Sequence, residues 1–287
     1  PEIWSTESGY SSAEDGIDER TKGAFNSRAA VYYKAAGLCD KVIFYNFEKK
    51  GTVKTDKEHQ FGHVSPASAY GDKSGKSFVP EISYAMVTGM NYVMARTSGG
   101  EIINSESGNV RICSFDSEKF GKKVLALYSL GEPECVTLNL GTPGVTYYDS
   151  LGNEEEVCGK DGIFTFKASA EPVYIAGDID RPVFLENNSL LSFGAKNIRA
   201  SENGLIKISL KKYTSDNFSI ETELPQNAVS IHSDGFSGSS AEIILKNRAA
   251  VGEKGSVTVR VKDGEKTVAV YDVNIETVYE DSGTDRV

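Results

Sequence analysis

Apolar positions in the first third of the chain recur at helical spacing between two short apolar runs. Ile3-Trp4 opens a short run that ends in Glu7 and then Gly9. A polar loop, 8–18, follows. Residues 19–36 place Phe25, Ala29, Tyr32, Tyr33 and Ala36 three and four apart, with Gly37 behind them. This predicts a helix, with those residues on its apolar face and a glycine C-cap. Lys41-Val42-Ile43-Phe44-Tyr45-Asn46-Phe47 is apolar, β-branched and aromatic, as expected of a strand buried on both faces. The stretch 48–79 is rich in Gly, Ser, Lys and Asp and reads as a long loop. Pro80 then opens a second helix, with Ile82, Ala85, Met86, Gly89, Met90 and Val93 on one face.

From about residue 97 the pattern changes to short runs between turn signals. The runs are 110–115, 123–129, 135–140, 145–149, 154–158, 163–167 and 172–176. Gly108, Gly131-Glu132-Pro133, Gly141-Thr142-Pro143-Gly144, Gly152-Asn153 and Asp161-Gly162 separate them, which predicts an antiparallel sandwich. Residues 178–182 read as a linker. A second set of runs follows at 205–210, 218–223, 229–232, 241–245, 256–261 and 267–275. Ser256-Val257-Thr258-Val259-Arg260-Val261 alternates polar and apolar, and Asp263-Gly264 is a hairpin turn. This last segment is expected to be immunoglobulin-like, with a frayed tail at 280–287.

Length and charge narrow the function. A chain of 287 residues allows about two or three domains. The formal net charge of −10 argues against nucleic acid and anionic membrane surfaces as partners. No apolar run approaches the roughly 20 residues needed to span a bilayer. Cys39, Cys113, Cys135 and Cys158 include no C-x-x-C pair, so four buried thiols are expected, although Cys135 and Cys158 fall in strands that could meet. His59 and His63 have a spacing that can bind zinc on a helix, but Gly62 argues against a helix there, and no metal or cofactor is expected. Glu14, Asp15, Asp18 and Glu19 could line a subsite or bind a cation, but such a cluster is more often a solvated loop, with Asp18 near a helix N-terminus. No G-x-S-x-G elbow is present. Asn187 and Asn217 head N-x-S triplets, which carry meaning only in a eukaryotic secretory context.

The segment Trp4-Ser5-Thr6-Glu7-Ser8-Gly9 resembles the seventh strand of the clan A retaining glycoside hydrolases, β-xylosidase-like and related families. A following helix, an aromatic strand, the loop residues Asp56, Glu58, Phe61 and Gly62, a second helix and a sandwich continue the likeness over 1–178. The resemblance implies that residues 1–96 are the C-terminal part of a (β/α)8 catalytic barrel, its last two β/α units. Residues 97–178 would be a β-sandwich packed on the barrel and its final helix, and residues 179–287 an immunoglobulin-like sandwich. It implies Glu7 as nucleophile, at the C-terminal end of a barrel strand where catalytic groups are presented. Retention needs a second carboxyl group about 5–5.5 Å away. The resemblance puts that acid/base in an Asn-Glu pair on the fourth strand, and no such pair occurs before Asn153-Glu154. The chain is therefore expected to be a C-terminal fragment, inactive alone. Its partners would be a carbohydrate substrate and either the missing N-terminal barrel portion or another copy of the chain.

Tyr10, Tyr45 and Phe47 are the expected substrate-contacting aromatics. The families often carry a tryptophan at the end of the eighth strand, and Phe44-Tyr45-Asn46-Phe47 stands there instead. Packing inside the barrel is the other role open to Tyr45 and Phe47. The location implied is extracellular or cell-surface, in a bacterium. The competing reading is a non-catalytic carbohydrate-binding or structural β-sandwich module.

Overall fold

The computed structural model describes residues 2–66, 78–159, 162–185, 191–193, 198–212, 217–233 and 235–279. In chain order these form β1 (Trp4–Ser8), α1 (Glu19–Ala35), β2 (Lys41–Phe44), a 3-10 turn (Lys57–Gln60), β3 (Val64–Pro66), β4 (Phe78–Pro80) and α2 (Ile82–Met94). Then come β5 (Thr97–Asn104), β6 (Val110–Ser117), β7 (Lys123–Ser129), β8 (Glu134–Asn139), β9 (Gly144–Tyr148), β10 (Glu154–Cys158), β11 (Ile163–Ala168) and β12 (Val173–Gly177). The last are β13 (Val183–Phe184), β14 (Leu191–Phe193), β15 (Ile198–Ser201), β16 (Leu205–Lys212), β17 (Phe218–Glu223), β18 (Ala228–Ser233), β19 (Ser240–Asn247), β20 (Lys254–Asp263) and β21 (Lys266–Val278). The described chain is thus mostly strand, in several sheets, with two α-helices.

Two compact units form, one from Pro1–Glu132, Val145–Glu155 and Ala168–Asp180, the other from Pro133–Gly144, Glu156–Lys167 and Arg181–Val287. In the first, β1 and β2 pair in parallel with α1 as their crossover. Strands β5, β6, β7, β12 and β9 form an antiparallel sheet, with β10 at the β9 edge. Both helices lie on this sheet. Val31 and Ala35 of α1 and Met90 and Val93 of α2 share one core with Cys113, Phe115, Val124, Ala126, Tyr128, Tyr148, Tyr174 and Ala176.

In the second unit β13, β8, β11, β21, β20 and β17 lie side by side, and β15 also pairs with β21. A four-stranded sheet, β14-β16-β19-β18, faces them. Ile206, Ile208, Ile243 and Leu245 from one sheet meet Val257, Val259, Tyr271 and Val273 from the other in one buried cluster. The alternating pattern of β16, eight residues long, puts Ile206, Ile208 and Leu210 into that cluster. The compact units do not follow the three segments read from the sequence. Strands β8 and β11 come from the middle segment, yet β11 pairs in parallel with β21, Thr165 opposite Ala269.

Four local expectations are corrected. The face of α1 that is buried carries Lys22, Gly23, Ala24, Asn26, Ser27, Val31 and Ala35, while Phe25, Ala29, Tyr32 and Tyr33 are only half-buried and Ala36 is exposed. Hydrogen-bonding partners, not apolar spacing, select that face. The strand 41–47 ends at Phe44 and is not buried on both faces, because only the side toward the helices is covered and Ile43 is exposed. The loop 48–79 holds the β3–β4 hairpin, Val64 opposite Pro80. Cys113 is buried, but Cys39, Cys135 and Cys158 are half-buried, and none of the four is in a disulfide. Asn187, the tail 280–287 and Asp161 of the expected Asp161-Gly162 turn lie outside the described residues.

Candidate functional site

The C-terminal ends of β1 and β2 carry all four residues singled out in the sequence. Trp4 pairs with Lys41, Ser5 with Val42 and Ser8 with Phe44, so β1 carries one more residue than β2 between the last two pairs. Thr6 and Glu7 occupy this bulge, and Glu7 is exposed. Bulges bend a strand and re-aim its side chains, and they recur beside active sites. Immediately after, the Tyr45 N–H donates to the Ser8 carbonyl at 2.7 Å. A β-carbon at Gly9 would stand 2.4 Å from the Tyr45 carbonyl oxygen, so only glycine fits where the strands exit. The Tyr45–Asn46 peptide is cis.

The three aromatics go to three surroundings. The Tyr10 ring meets Phe25 edge-on at 5.2 Å. The Tyr45 ring meets Phe61 at 5.5 Å, and its hydroxyl donates to Glu58 at 3.1 Å and accepts from Lys50. Phe47 is exposed and meets Phe78 and Tyr84. The loop residues quoted with the resemblance gather around Tyr45: Asp56 accepts from the Glu58 N–H at 2.9 Å and caps the 3-10 turn that delivers Glu58 and Phe61.

Behind these strand ends lies a charge network that sequence reasoning missed. The Lys22 side chain is fully buried on α1. Its ammonium donates to the carbonyls of Gly62 at 2.6 Å and Gln60 at 3.2 Å, and to Glu19 at 2.9 Å. Lys49 pairs with Glu19 at 2.7 Å and Glu81 at 3.1 Å. Ser83 donates to Glu19 at 2.9 Å, Ser12 also donates to Glu19, and Ser65 donates to Glu81. Burial lowers the Lys22 pKa and Glu19 only partly offsets this. Burial would raise Glu19, but Lys22 and Lys49 outweigh it and hold the carboxyl below its ordinary value. Burial would lower Lys49, and Glu19 and Glu81 raise it instead. Ser12, Glu19, Lys49, Gln60, Ser65 and Glu81 line a cleft of about 440 Å³. The arrangement ties the loops after β1 and β2 to both helices. Its one signal in the sequence is a lysine where α1 is otherwise small and buried.

The histidines separate. His59 sits half-buried, 3.6 Å from Asp56. His63 is buried 3.2 Å from the Asn26 amide, its ring edge-on to Phe44, and burial with Lys22 nearby pushes its pKa down to about 4. Asp18 caps α1, accepting from the Thr21 N–H at 2.7 Å.

No protein-family model matches the sequence, and no curated protein matches it. Among solved structures, a family 39 glycoside hydrolase from the gut symbiont Bacteroides cellulosilyticus WH2 is similar in fold, with a TM-score of 0.51 and 17% identity over 61% of this chain. The match covers 34% of that enzyme, so the chain spans about a third of its length. Surface layer protein SbsC, domains 4–9, gives a TM-score of 0.25 at 13% identity over 67% of this chain and 32% of that one. A β-glucuronidase from glycoside hydrolase family 2 gives 0.23 at 10% identity, over 97% of this chain and 31% of that one. Of these three, the family 39 enzyme alone is close enough to bear on the fold.

Proposed function

We propose that this chain is the C-terminal portion of a retaining glycoside hydrolase built on a (β/α)8 barrel. In this reading β1, α1, β2 and α2 are its last two β/α units, and Glu7 is the nucleophile. The observation that carries the reading is the parallel β1–β2 pair. Ile3 is 58% exposed, Trp4 49% and Ile43 46%, on a pair with no third strand among the described residues. Parallel strands are normally covered on both faces and paired on both edges. Further β/α units would cover that face and bond those edges. The likeness of fold to the family 39 glycoside hydrolase supports the reading, as does the bulge that carries Glu7.

The chemistry follows from one carboxylate at a strand end. The Glu7 carboxylate attacks the anomeric carbon and the glycosidic bond breaks, leaving a glycosyl ester on Glu7. The leaving oxygen takes its proton from a second acid, supplied outside this chain. Water then attacks the ester with that residue as base, which releases the sugar and restores Glu7. Polysaccharides do not cross membranes, so an extracellular or cell-surface location belongs to the proposal. The test is covalent trapping in the intact protein with 2,4-dinitrophenyl 2-deoxy-2-fluoro glycosides of several sugars. Mass spectrometry should find the fluorosugar on the peptide holding Glu7, and Glu7→Gln should abolish both labelling and turnover. Labelling elsewhere, or near-normal turnover by Glu7→Gln, overturns the assignment.

A further inference from the structure

Two arginines of the first unit gather around Tyr128 with no acid to pair them. Arg28 of α1 lies over the Phe25 and Tyr128 rings, 5.2 Å from each centroid. Arg111 of β6 lies over the Tyr32 ring at 4.9 Å, and its Nε donates to the Asn104 amide oxygen at 3.1 Å. Tyr128 stands directly opposite Arg111 across β6 and β7, which brings the two guanidinium groups to the same ring. Arg20, Arg199 and Arg260 each pair with a glutamate. Among the described residues Arg28 makes neither an ion pair nor a hydrogen bond, and Arg111 makes no ion pair. Acids are not scarce, since the chain carries 41 acidic residues against 31 Lys and Arg. Burial lowers the Arg28 pKa and Arg111 adds to this, and Tyr128 and Tyr10 offset the two only in part. Aromatic faces fix a guanidinium in place and leave its in-plane N–H groups free to bond. The chain therefore holds two oriented cations without supplying their counter-charge.

The surroundings indicate where that charge comes from. At about 3.6 residues per turn, Phe25, Arg28 and Tyr32 fall on the side of α1 turned away from Gly23, where α2 packs. Both rings and both arginines are half-buried, and Tyr10, edge-on to Phe25, is 41% exposed. Arginine and tyrosine together are the residues that anchor protein–protein contacts, and a carboxylate meets a guanidinium through two parallel hydrogen bonds. A free, hydrated anion would answer the charge and leave the rings in water. A polypeptide segment with an acidic side chain answers both. We propose that Arg28 and Arg111 clamp a carboxylate side chain of the barrel portion that the proposed function places before residue 1. This rests on that reading, and goes beyond it by naming the flank of α1 and the charge through which the rest of the barrel attaches.

The test makes Arg28→Lys in the intact protein and adds a water-soluble carbodiimide, which joins an amine to a carboxylate in direct contact. Mass spectrometry of the digest should find the peptide holding residue 28 linked to an Asp or Glu peptide from before residue 1. Arg111→Lys should link to that same peptide, and Arg28→Gln should give no such link and a thermal midpoint a few degrees lower. Lys122 and Asp180, in contact at 2.8 Å, are the internal control for coupling. A linked Lys122–Asp180 pair with residue 28 unlinked in Arg28→Lys overturns the proposal. So does a link from residue 28 to an acid within residues 1–287, whether of the same chain or of another copy. Inorganic sulfate that raises the midpoint of the wild type and not of Arg28→Gln, with no link formed, assigns the pair to a free oxyanion and equally overturns it. The two readings fail separately. Glu7 labelled by the fluorosugar with residue 28 unlinked removes the clamp alone. A link from residue 28 to the preceding portion with full activity of Glu7→Gln removes the nucleophile alone.

Discussion

The two helices of the first unit rest on the same sheet and are held there by different forces. Helix α2 buries Met86, Met90 and Val93, and its attachment is mainly apolar area. Helix α1 buries Lys22, Asn26 and Ser27 in its first half, and only Val31 and Ala35 of its second half enter the shared core. The helices pack closely at Gly23, where a β-carbon would meet the Met86 Sδ at 2.7 Å and the Ser83 Cα at 2.9 Å. Apolar contact is non-directional and tolerates small shifts. Hydrogen bonds to a buried cation do not. So both helices hold the sheet, and α1 in addition fixes the loops through the carbonyls of Gln60 and Gly62 and the hydroxyl of Ser12. Those loops flank the strand ends where Glu7 and Tyr45 stand.

The comparison breaks first at Lys22. Lys22→Met keeps the stem but takes the ammonium donor from the Gly62 carbonyl, leaves the Gln60 carbonyl with only its Ser12 donors, and removes one of Glu19's two cations. Losing one partner of a buried charged network costs about 3–5 kcal/mol. On α2, Met90→Leu keeps volume and removes no bond, and should cost less than about 1.5 kcal/mol. Chemical denaturation of the two variants measures both. Equal costs would mean that α1, like α2, is held by apolar packing alone.

A smaller effect separates the helices by pH. His63 packs on the polar face of α1, against Asn26 and near Lys22 and Glu19. Its pKa falls from 6.5 to about 4 on folding, so the folded protein holds it neutral. Between those values the unfolded chain binds the extra proton and the folded chain does not. The contribution is therefore complete above pH 6.5 and is lost as pH falls toward 4, by about 3 kcal/mol at most. Denaturation midpoints at pH 7 and pH 4.5 should show the loss in the wild type. His63→Gln, which cannot titrate, should show much less of it.

This difference in forces also decides what was legible in the sequence. Helix α2 could be read almost residue by residue, since Met86, Met90 and Val93 are apolar at three- and four-residue spacing and are the residues that go inside. The extent of α1 could be read, but its buried face could not. Phe25, Tyr32 and Tyr33 made the stronger pattern, and beside the nearby Glu19 and Ser12 the partners that bury Lys22 and Asn26 lie 37 or more residues away, at Gln60, Gly62 and His63. Strand β5 was missed because Thr97–Asn104 includes Gly99 and Gly100 and few apolar positions. The assignment of β8 and β11 to the second unit depends on pairing with β21, about a hundred residues further on, which no local pattern encodes. At the site, Glu7 and the aromatics could be read as residue types. The bulge under Glu7 could not, because it depends on the register of β1 against β2, and neither could the Glu58–Lys50 hold on Tyr45, which depends on how the loop after β2 folds back.

The finest contrast lies where the helices stop. Helix α1 ends at Ala36 with Gly37 in the left-handed region at φ +64°. The Gly37 N–H donates to the Lys34 carbonyl at 3.1 Å and the Leu38 N–H to the Tyr33 carbonyl at 2.9 Å, which is a Schellman closure. Helix α2 ends at Ala95, and the left-handed residue that follows is Arg96 at φ +58°. A side chain in that region costs roughly 1–2 kcal/mol that glycine avoids. Gly37→Ala should therefore destabilise the protein by about 1 kcal/mol. Arg96→Gly should stabilise it, but by less than about 1 kcal/mol, because glycine also gives the unfolded chain more freedom to lose. Both shifts are readable from denaturation midpoints at constant slope. The same sign for the two variants would mean that the helix ends are set by their neighbours and not by the residue at the turn.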